Sequence, residues 1–589
     1  LKKLSFLSVL ALDCQATHNK PSSGHLVEIA WSKTQAVFPF DQERAIETAK
    51  SYLVKMGNTV QIPKQFVTMT GIEPAEMKEA FPKEVIWQKL RQEATKIKYE
   101  NQGTCPAVIH FKKYEEPYLK QIHQEFAPKK KFPFTIICTH EIISRLYPGL
   151  PRKSLRAAAG FFGYSLPNFR RSLPHVVATA FIWNRLVSIL EEQEKIITFR
   201  DLQDWLRHPP TSAFCKPSTR EYPMEKAARQ NLPDKPGIYK MYRSSGDLLY
   251  IGKAKSLKQR VNSYFLKKGH HAEHILEMLS QAQNLSMAVT GSALEAAVRE
   301  SDEIKLFSPP YNRALQPKER QLYFYSDQFK SKQRKPDKHH TLGPFPSNIK
   351  MEALAKFIET LYGKRQKFYP RLIETLLGAP PGYIPDKDCF REGLEAFTKK
   401  YCQTTPIPIC MTHIRLWGTE FWAEKLLEKE QEQQKKSIQD RNFSLELNEQ
   451  EEIEEGWTPE RVMRSLKRVV RIGTFQIRRA RWFCRLSEST LAWSNGNDND
   501  NPKHMLLIEN SVPIFREQNI CSNKALAPAG HKKTLLERQT GFDIAAYDRM
   551  RIVTTEMRRI VREGRNIELC FHPGTILKNS QLEKILRWV

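Results

Sequence analysis

Residues 236–265, PGIYKMYRSSGDLLYIGKAKSLKQRVNSYF, constrain the fold more tightly than any other stretch of the chain. Two apolar runs, GIYKMYR and LLYIGK, flank SSGD, whose Gly246 and Asp247 supply turn chemistry, so the segment predicts a β-hairpin. A turn centred between Ser245 and Gly246 sets Met241 opposite Tyr250 and Tyr239 opposite Gly252. Side chains alternate between faces along a strand, which makes Tyr239 and Tyr250 diagonal neighbours on one side. SLKQRVNSYF then predicts a helix capped by Ser256, with Leu257, Val261 and Phe265 on one stripe and Arg260 and Tyr264 one turn apart. Core packing accounts for two tyrosines on a face. It does not call for Lys253, Arg260 and a third phenol around them, an arrangement that can receive a phosphate and lacks only a metal ligand.

A ligand stands in TGSALEAAVRESDEIKLFSPPYN. Ser292 and Glu295 have capping-box spacing, which gives Glu295 a structural task at a helix start. Leu294, Ala297, Val298, Ser301 and Ile304 mark the buried stripe, with Glu300 at its border. A carboxylate there is oriented and partly desolvated, suited to one hard cation that keeps several waters; an ordinary rim glutamate is the competing reading.

At 589 residues the chain is too long for one core, and about 150 residues per domain implies three or four units. A formal charge of +28 with 10% aromatics points to a polyanion, nucleic acid ahead of a membrane surface. No run of about 18 to 20 uncharged apolar residues is present. LKKLSFLSVLALDC has a signal-like apolar run, but Asp13 directly precedes Cys14, so a buried strand ending in an acid is expected instead. Ten cysteines without a C-x-x-C pair favour neither disulfides nor a zinc ribbon, and a cytoplasmic protein is expected.

Strand-like FLSVLAL, GHLVEIAW and AVIHF alternate with amphipathic segments, predicting a mixed α/β domain over residues 1–200. A linker over 201–230 contains the Pro/Ser/Thr-rich RHPPTSAFCKPSTREYP, the tyrosine-rich domain spans 231–347, and a mainly α or α+β region of unknown role occupies 348–589. In that last region six acids between Glu446 and Glu455 precede a helix start at Thr458 and Pro459. Nine Arg or Lys and no acid follow between Arg461 and Arg485. Arg478, Arg479 and Arg481 are the candidates for DNA phosphates; a solvated face and a partner-protein surface remain open.

Gly237-Ile238-Tyr239, ten intervening residues, and Tyr250-Ile251-Gly252 resemble the signature of GIY-YIG nucleases, and the flanking GKAKSLKQRVNSYF and LEAAVRESDEIKLFSPPYN resemble the UvrC/Cho branch over roughly residues 232–315. The resemblance implies catalytic roles for Tyr239, Tyr250, Lys253, Arg260, Tyr264, Glu300 and Asn312. It implies one Mg²⁺ or Mn²⁺ on Glu300, Tyr250 as general base with its pKa lowered by Lys253, and Tyr239 orienting water. Arg260 would neutralise phosphoryl charge, and Asn312 would position substrate or local backbone.

FLSVLALDCQATHNKPSSGHLVEIAW, AVIHFKKYEEPYL and RRSLPHVVATAFIW resemble the three motifs of DnaQ-type exonucleases, implying an RNase H-like fold over residues 4–195. That chemistry uses two metal ions held by four carboxylates. Here Asp13 is present, Gln15 replaces a glutamate, Glu115 stands for an aspartate, and His175 or Arg170 occupies the third motif. A degenerate site is expected.

Together the resemblances imply a metal-dependent DNA endonuclease acting on damaged duplex, with 3′-side incision in nucleotide excision repair, an SOS-response setting and damage-recognition partners. A 3′–5′ exonuclease working through the first domain and a non-catalytic DNA-binding repair scaffold are the alternatives.

Overall fold

The computed structural model describes residues 2–589 apart from 58–61, 166–168, 209–219, 267–270, 316–319, 328, 330, 348–350, 363–369, 379–382, 403–410, 437–455, 495–503, 518–532 and 573. Most of the Pro/Ser/Thr-rich linker segment and all of the acidic patch lie outside the described residues. Two compact units result: residues 1–290 with 309–313, and residues 291–308 with 314–589. The sequence expected the tyrosine-rich domain to run unbroken to 347.

The first unit opens with a five-stranded sheet built from β1 (Val9–Ala16), β2 (Leu26–Thr34), β3 (Lys50–Leu53), β4 (Pro106–Ile109) and β5 (Thr135–Cys138), in the order β3-β2-β1-β4-β5. The first three are antiparallel neighbours, and β4 and β5 join β1 in parallel. This is the mixed α/β sheet expected of an RNase H-like domain. Alternation along β1 sends Leu10 and Leu12 into one core with Trp87 and Leu119, while Val9 packs on the other side with Ile182 and Trp183. Helix α1 (Lys112–Phe126) covers the first face and α2 (Ser172–Glu192) the second. By length and composition α2 is apolar enough to cross a bilayer, although Arg185 keeps it from being an uncharged run, and two thirds of that window is buried inside the protein, as in a core helix.

The same unit holds a three-stranded sheet, β7-β6-β8, of β6 (Gly237–Tyr242), β7 (Leu248–Ala254) and β8 (Asn284–Val289), with helix α3 (Leu257–Ser263) capped by Ser256 as expected. It meets the N-terminal domain through part-buried hydrogen bonds, supported by a buried bond within the hairpin domain. Arg243 donates to Gln281 Oε1 at 3.0 Å and to Ser165 Oγ at 2.8 Å, and the Gln283 amide donates to the Phe161 carbonyl at 2.9 Å.

The second unit is α+β. Helix α4 (Ala293–Phe307) packs Leu294, Ala297 and Val298 into a core with Phe483, Met550 and Val553. An Asp302–Arg549 pair and a buried Asp548 that meets Lys305 and Arg320 at 3.2 and 2.7 Å add charge complementarity to this core. Helix α5 (Pro459–Leu486) begins as the sequence predicts, with Thr458 Oγ1 accepting from Arg461 N. Beside it stands a five-stranded antiparallel sheet of β12 (Ser489–Trp493), β13 (His504–Glu509), β14 (Val512–Glu517), β15 (Ile567–Phe571) and β16 (Thr575–Lys578), and a small one of β9 (Leu322–Tyr325), β10 (Lys332–Gln333) and β11 (Leu342–Pro346).

At the start of α4, Ser292 Oγ accepts from Glu295 N at 3.1 Å, but the Glu295 carboxylate accepts from Gly291 N at 3.0 Å, one residue earlier than a capping box places it. The structural task assigned to Glu295 is retained. Glu295→Ala should lower stability by about 1 kcal/mol, read as a shift in the urea midpoint at unchanged slope.

Candidate active site

The hairpin register is the one the turn dictates: Tyr239 pairs with Gly252 and Met241 with Tyr250, with a bulge beyond Met241. A Cβ at position 252 would lie 2.3 Å from Tyr239 Oη and 2.9 Å from Tyr250, so glycine is what lets the Tyr239 ring lie across β7. Tyr239, Tyr250 and Tyr264 form a triangle with ring centroids 6.2 to 6.4 Å apart. Tyr239 is fully buried, and its hydroxyl lies 3.0 Å from that of Tyr264. Arg260 Nη2 donates to the Tyr264 hydroxyl at 3.1 Å and its guanidinium lies over the same ring. Burial, reinforced by the neighbouring phenols Tyr264 and Tyr250, holds the Tyr239 pKa well above its ordinary value. Tyr250 is only partly buried and is the most accessible of the three.

Lys253 departs from expectation. The pleat puts Tyr250 and Gly252 on one face of β7 and Lys253 on the other, opposite Ile238. Arg260 is a cation that faces the phenols. Asn312 resolves its two readings: Oδ1 accepts from Ile251 N at 2.9 Å and Nδ2 donates to Ile251 O at 2.8 Å, so it fixes the backbone of β7 between the two motif residues that flank it. The sequence reading missed His271, whose Nε2 lies 2.8 Å from the Tyr264 carbonyl; it stands in a His-His pair with no periodic signal. Glu300 is partly buried on α4 in the second unit, at the border of its buried stripe as expected. Among the described residues no three His, Cys, Asp or Glu side chains cluster to hold an ion.

In the N-terminal domain, β1 and α2 bring Asp13 and His175 together, with Oδ1 to Nδ1 at 3.2 Å. Arg170 is exposed and only its carbonyl takes part, accepting from the Gln15 amide at 2.9 Å, so His175 is the third-motif residue at this site. Glu115 is buried; desolvation first, then the Asp13 charge, pushes its pKa well above the carboxylate range. One oxygen each of Asp13 and Glu115 is buried without a partner. Val176 and Ala180 of α2 pack against Ala11 and Ala30, and α2 carries no acid before Glu191. A further acid, Glu28 opposite Gln15, is buried and neutralised by Arg171 at 2.9 Å and by the Ser172 amide at 2.8 Å. An acid inside the apolar run LVEIAW was its signal. Of the three arginines expected to contact DNA, Arg478 and Arg481 line one cavity of the second unit, whereas the Arg479 guanidinium lies over Phe483, near Tyr547 and Asp548.

Residues 235–313 match the model of the UvrC-like GIY-YIG domain. UvrABC system protein C of Psychrobacter cryohalolentis is 36% identical over 145 residues, 23% of this chain and 24% of that protein. The chain thus spans about a quarter of the length of this relative, and less of the Clostridium botulinum protein of the same name, 42% identical over 86 residues, 15% of this chain and 14% of that protein. Among solved structures, the magnesium-bound N-terminal GIY-YIG endonuclease domain of UvrC from Thermotoga maritima is 32% identical, covering 15% of this chain and 99% of that one, with a TM-score of 0.14. The nuclease domain of 3′hExo, a DEDDh family member, is 15% identical, covering 32% of this chain and 94% of that one, with a TM-score of 0.25.

Burial lowers the His175 pKa, but Asp13 outweighs it and the net shift is upward. A raised folded pKa means the pair's stabilisation is fully present below about pH 6.5 and is lost as pH rises through the folded value. The stability difference between wild type and His175→Gln, measured by urea melts, should therefore be larger at pH 6 than at pH 9.

Proposed function

We propose that this chain is a cytoplasmic, metal-dependent DNA endonuclease that hydrolyses phosphodiester bonds at the tyrosine cluster, cutting on the 3′ side of a lesion in excision repair. The observation that carries the reading is the hydroxyl chain Tyr239–Tyr264–Arg260 set beside an accessible Tyr250, within residues that match the UvrC-like GIY-YIG model. Packing alone has no use for a guanidinium at the end of two buried phenols.

In this reading Tyr250, the least buried of the three phenols, takes the proton from the attacking water. Tyr239 stays protonated and holds Tyr264, which positions Arg260. The guanidinium then meets the charge that develops on the phosphoryl oxygens. Glu300 would hold one Mg²⁺ or Mn²⁺, which when bound supplies Lewis-acid stabilisation of the phosphate and the leaving oxygen. Asn312 keeps the strand between Tyr250 and Gly252 in register, and Lys253, on the opposite face, contacts DNA backbone outside the reacting centre. Damaged duplex is the substrate, and the curated relatives' assignment to a UvrABC system supports repair proteins as partners.

The N-terminal domain acts as a scaffold for the nuclease domain docked on it. Asp13 is engaged by His175, Gln15 by backbone, and Glu115 is held toward its neutral form, so the four anionic ligands of a two-metal site are not assembled.

With Mg²⁺ present, Glu300→Ala and Arg260→Ala should each abolish detectable nicking of supercoiled plasmid while circular dichroism stays native. Unimpaired nicking by Glu300→Ala removes that residue from the site. Incubated with end-labelled single-stranded DNA, the wild-type chain should release no mononucleotides from the 3′ end. Release that disappears in Asp13→Ala would make the first domain a working exonuclease.

A further inference from the structure

Helix α5 carries Arg478, Arg481 and Arg485 at spacings of three and four, which places them on one stripe. They open onto a cavity of about 1130 Å³ inside the second unit, completed by Lys533 and Arg538. Among the described residues no Asp or Glu lines it. Some of these cations have structural work: Arg538 donates to the His572 carbonyl at 2.8 Å, and Lys533 meets Glu488 at 2.8 Å. Arg478 donates to Thr419 and lies over the Trp588 ring. Arg481 and Arg485 are exposed, and among the described residues neither guanidinium makes a hydrogen bond or an ion pair. Desolvation, then the charges of Arg415 and Arg485, lower the Arg481 pKa against a smaller opposing effect of Asp327.

The remaining walls are apolar and aromatic. Trp482, Phe571 and Trp588 face the cavity together with Leu535 and Leu577. Trp482 is held by a 2.9 Å bond from its indole to Thr554, and Phe571 stands edge-on to it. A site for phosphate alone needs no such surface. A duplex needs none either, because its base faces are stacked away inside. The ligand that uses both halves has phosphates spaced along a chain and planar faces between them. The volume exceeds the roughly 300–1,000 Å³ typical of small-ligand pockets.

We infer that this cavity binds a short stretch of single-stranded DNA, its phosphates on Arg478, Arg481 and Arg485 and a base against Trp588 and Phe571. Such binding is separate from cleavage at the tyrosine cluster and does not depend on that cluster being a nuclease.

The test uses the full chain in EDTA and a fluorescein-labelled oligothymidylate, followed by anisotropy across a salt series. The double variant Arg481→Gln/Arg485→Gln changes two exposed side chains and should fold as wild type does. It should weaken binding about tenfold and flatten the salt slope by about 1.4, roughly 0.7 for each lost single-strand phosphate contact. Trp588→Leu should weaken binding about fivefold or more at an unchanged slope, the signature of a lost stacking surface. Wild-type affinity and slope in the double variant would overturn the inference. So would a phosphoserine peptide that displaces the probe at lower concentration than unlabelled oligothymidylate, since the cavity would then serve a phosphoprotein. Loss of plasmid nicking with oligonucleotide binding intact would count against the nuclease reading alone.

Discussion

The close approach of the Tyr239 ring to Gly252 is the constraint on which the rest of the candidate site depends. A side chain at position 252 would occupy the place of the phenol, so the ring lies across β7 only because that residue is glycine. Once there, its hydroxyl is buried and needs a partner. Tyr264 supplies it, and α3 is thereby fixed with Arg260 one turn before Tyr264. Asn312 closes the arrangement from the other side by holding both backbone groups of Ile251. Each contact satisfies a group that burial would otherwise leave unpaired, and the outcome is a guanidinium and an accessible phenol held on rigid elements.

Much of this was legible in the sequence because the hairpin is local. Turn residues fix the register, the register fixes which side chains share a face, and Ser256 fixes where the following helix begins. Lys253 shows that the rule must be followed to the end: its odd spacing from Tyr250 already places it on the other face. Long-range geometry was not legible. The choice between His175 and Arg170 depends on how α2 crosses β1, over 162 residues of separation, and the Arg171–Glu28 pair spans 143. No local pattern encodes either. The split among Arg478, Arg479 and Arg481 follows from helical periodicity, but which side faces the cavity depends on β15, β16 and the C-terminal residues.

The two flanking regions have different relations to the tyrosine site. In the N-terminal sheet Asp13 meets His175, Glu28 meets Arg171, and burial raises the Glu115 pKa. It meets the hairpin domain through hydrogen bonds from Arg243 and Gln283 within one compact unit. The C-terminal unit combines an antiparallel sheet with a long helix whose one stripe is core and whose other is cationic.

Tyr239→Phe removes one oxygen from a ring that otherwise keeps its packing, which makes it the most direct test of whether the cluster is catalytic. In a supercoiled-plasmid assay with Mg²⁺, the account predicts that wild type nicks and that Tyr239→Phe, with native circular dichroism, does not, because Tyr264 and Arg260 lose the hydroxyl that positions them. Nicking by Tyr239→Phe at the wild-type rate would contradict it.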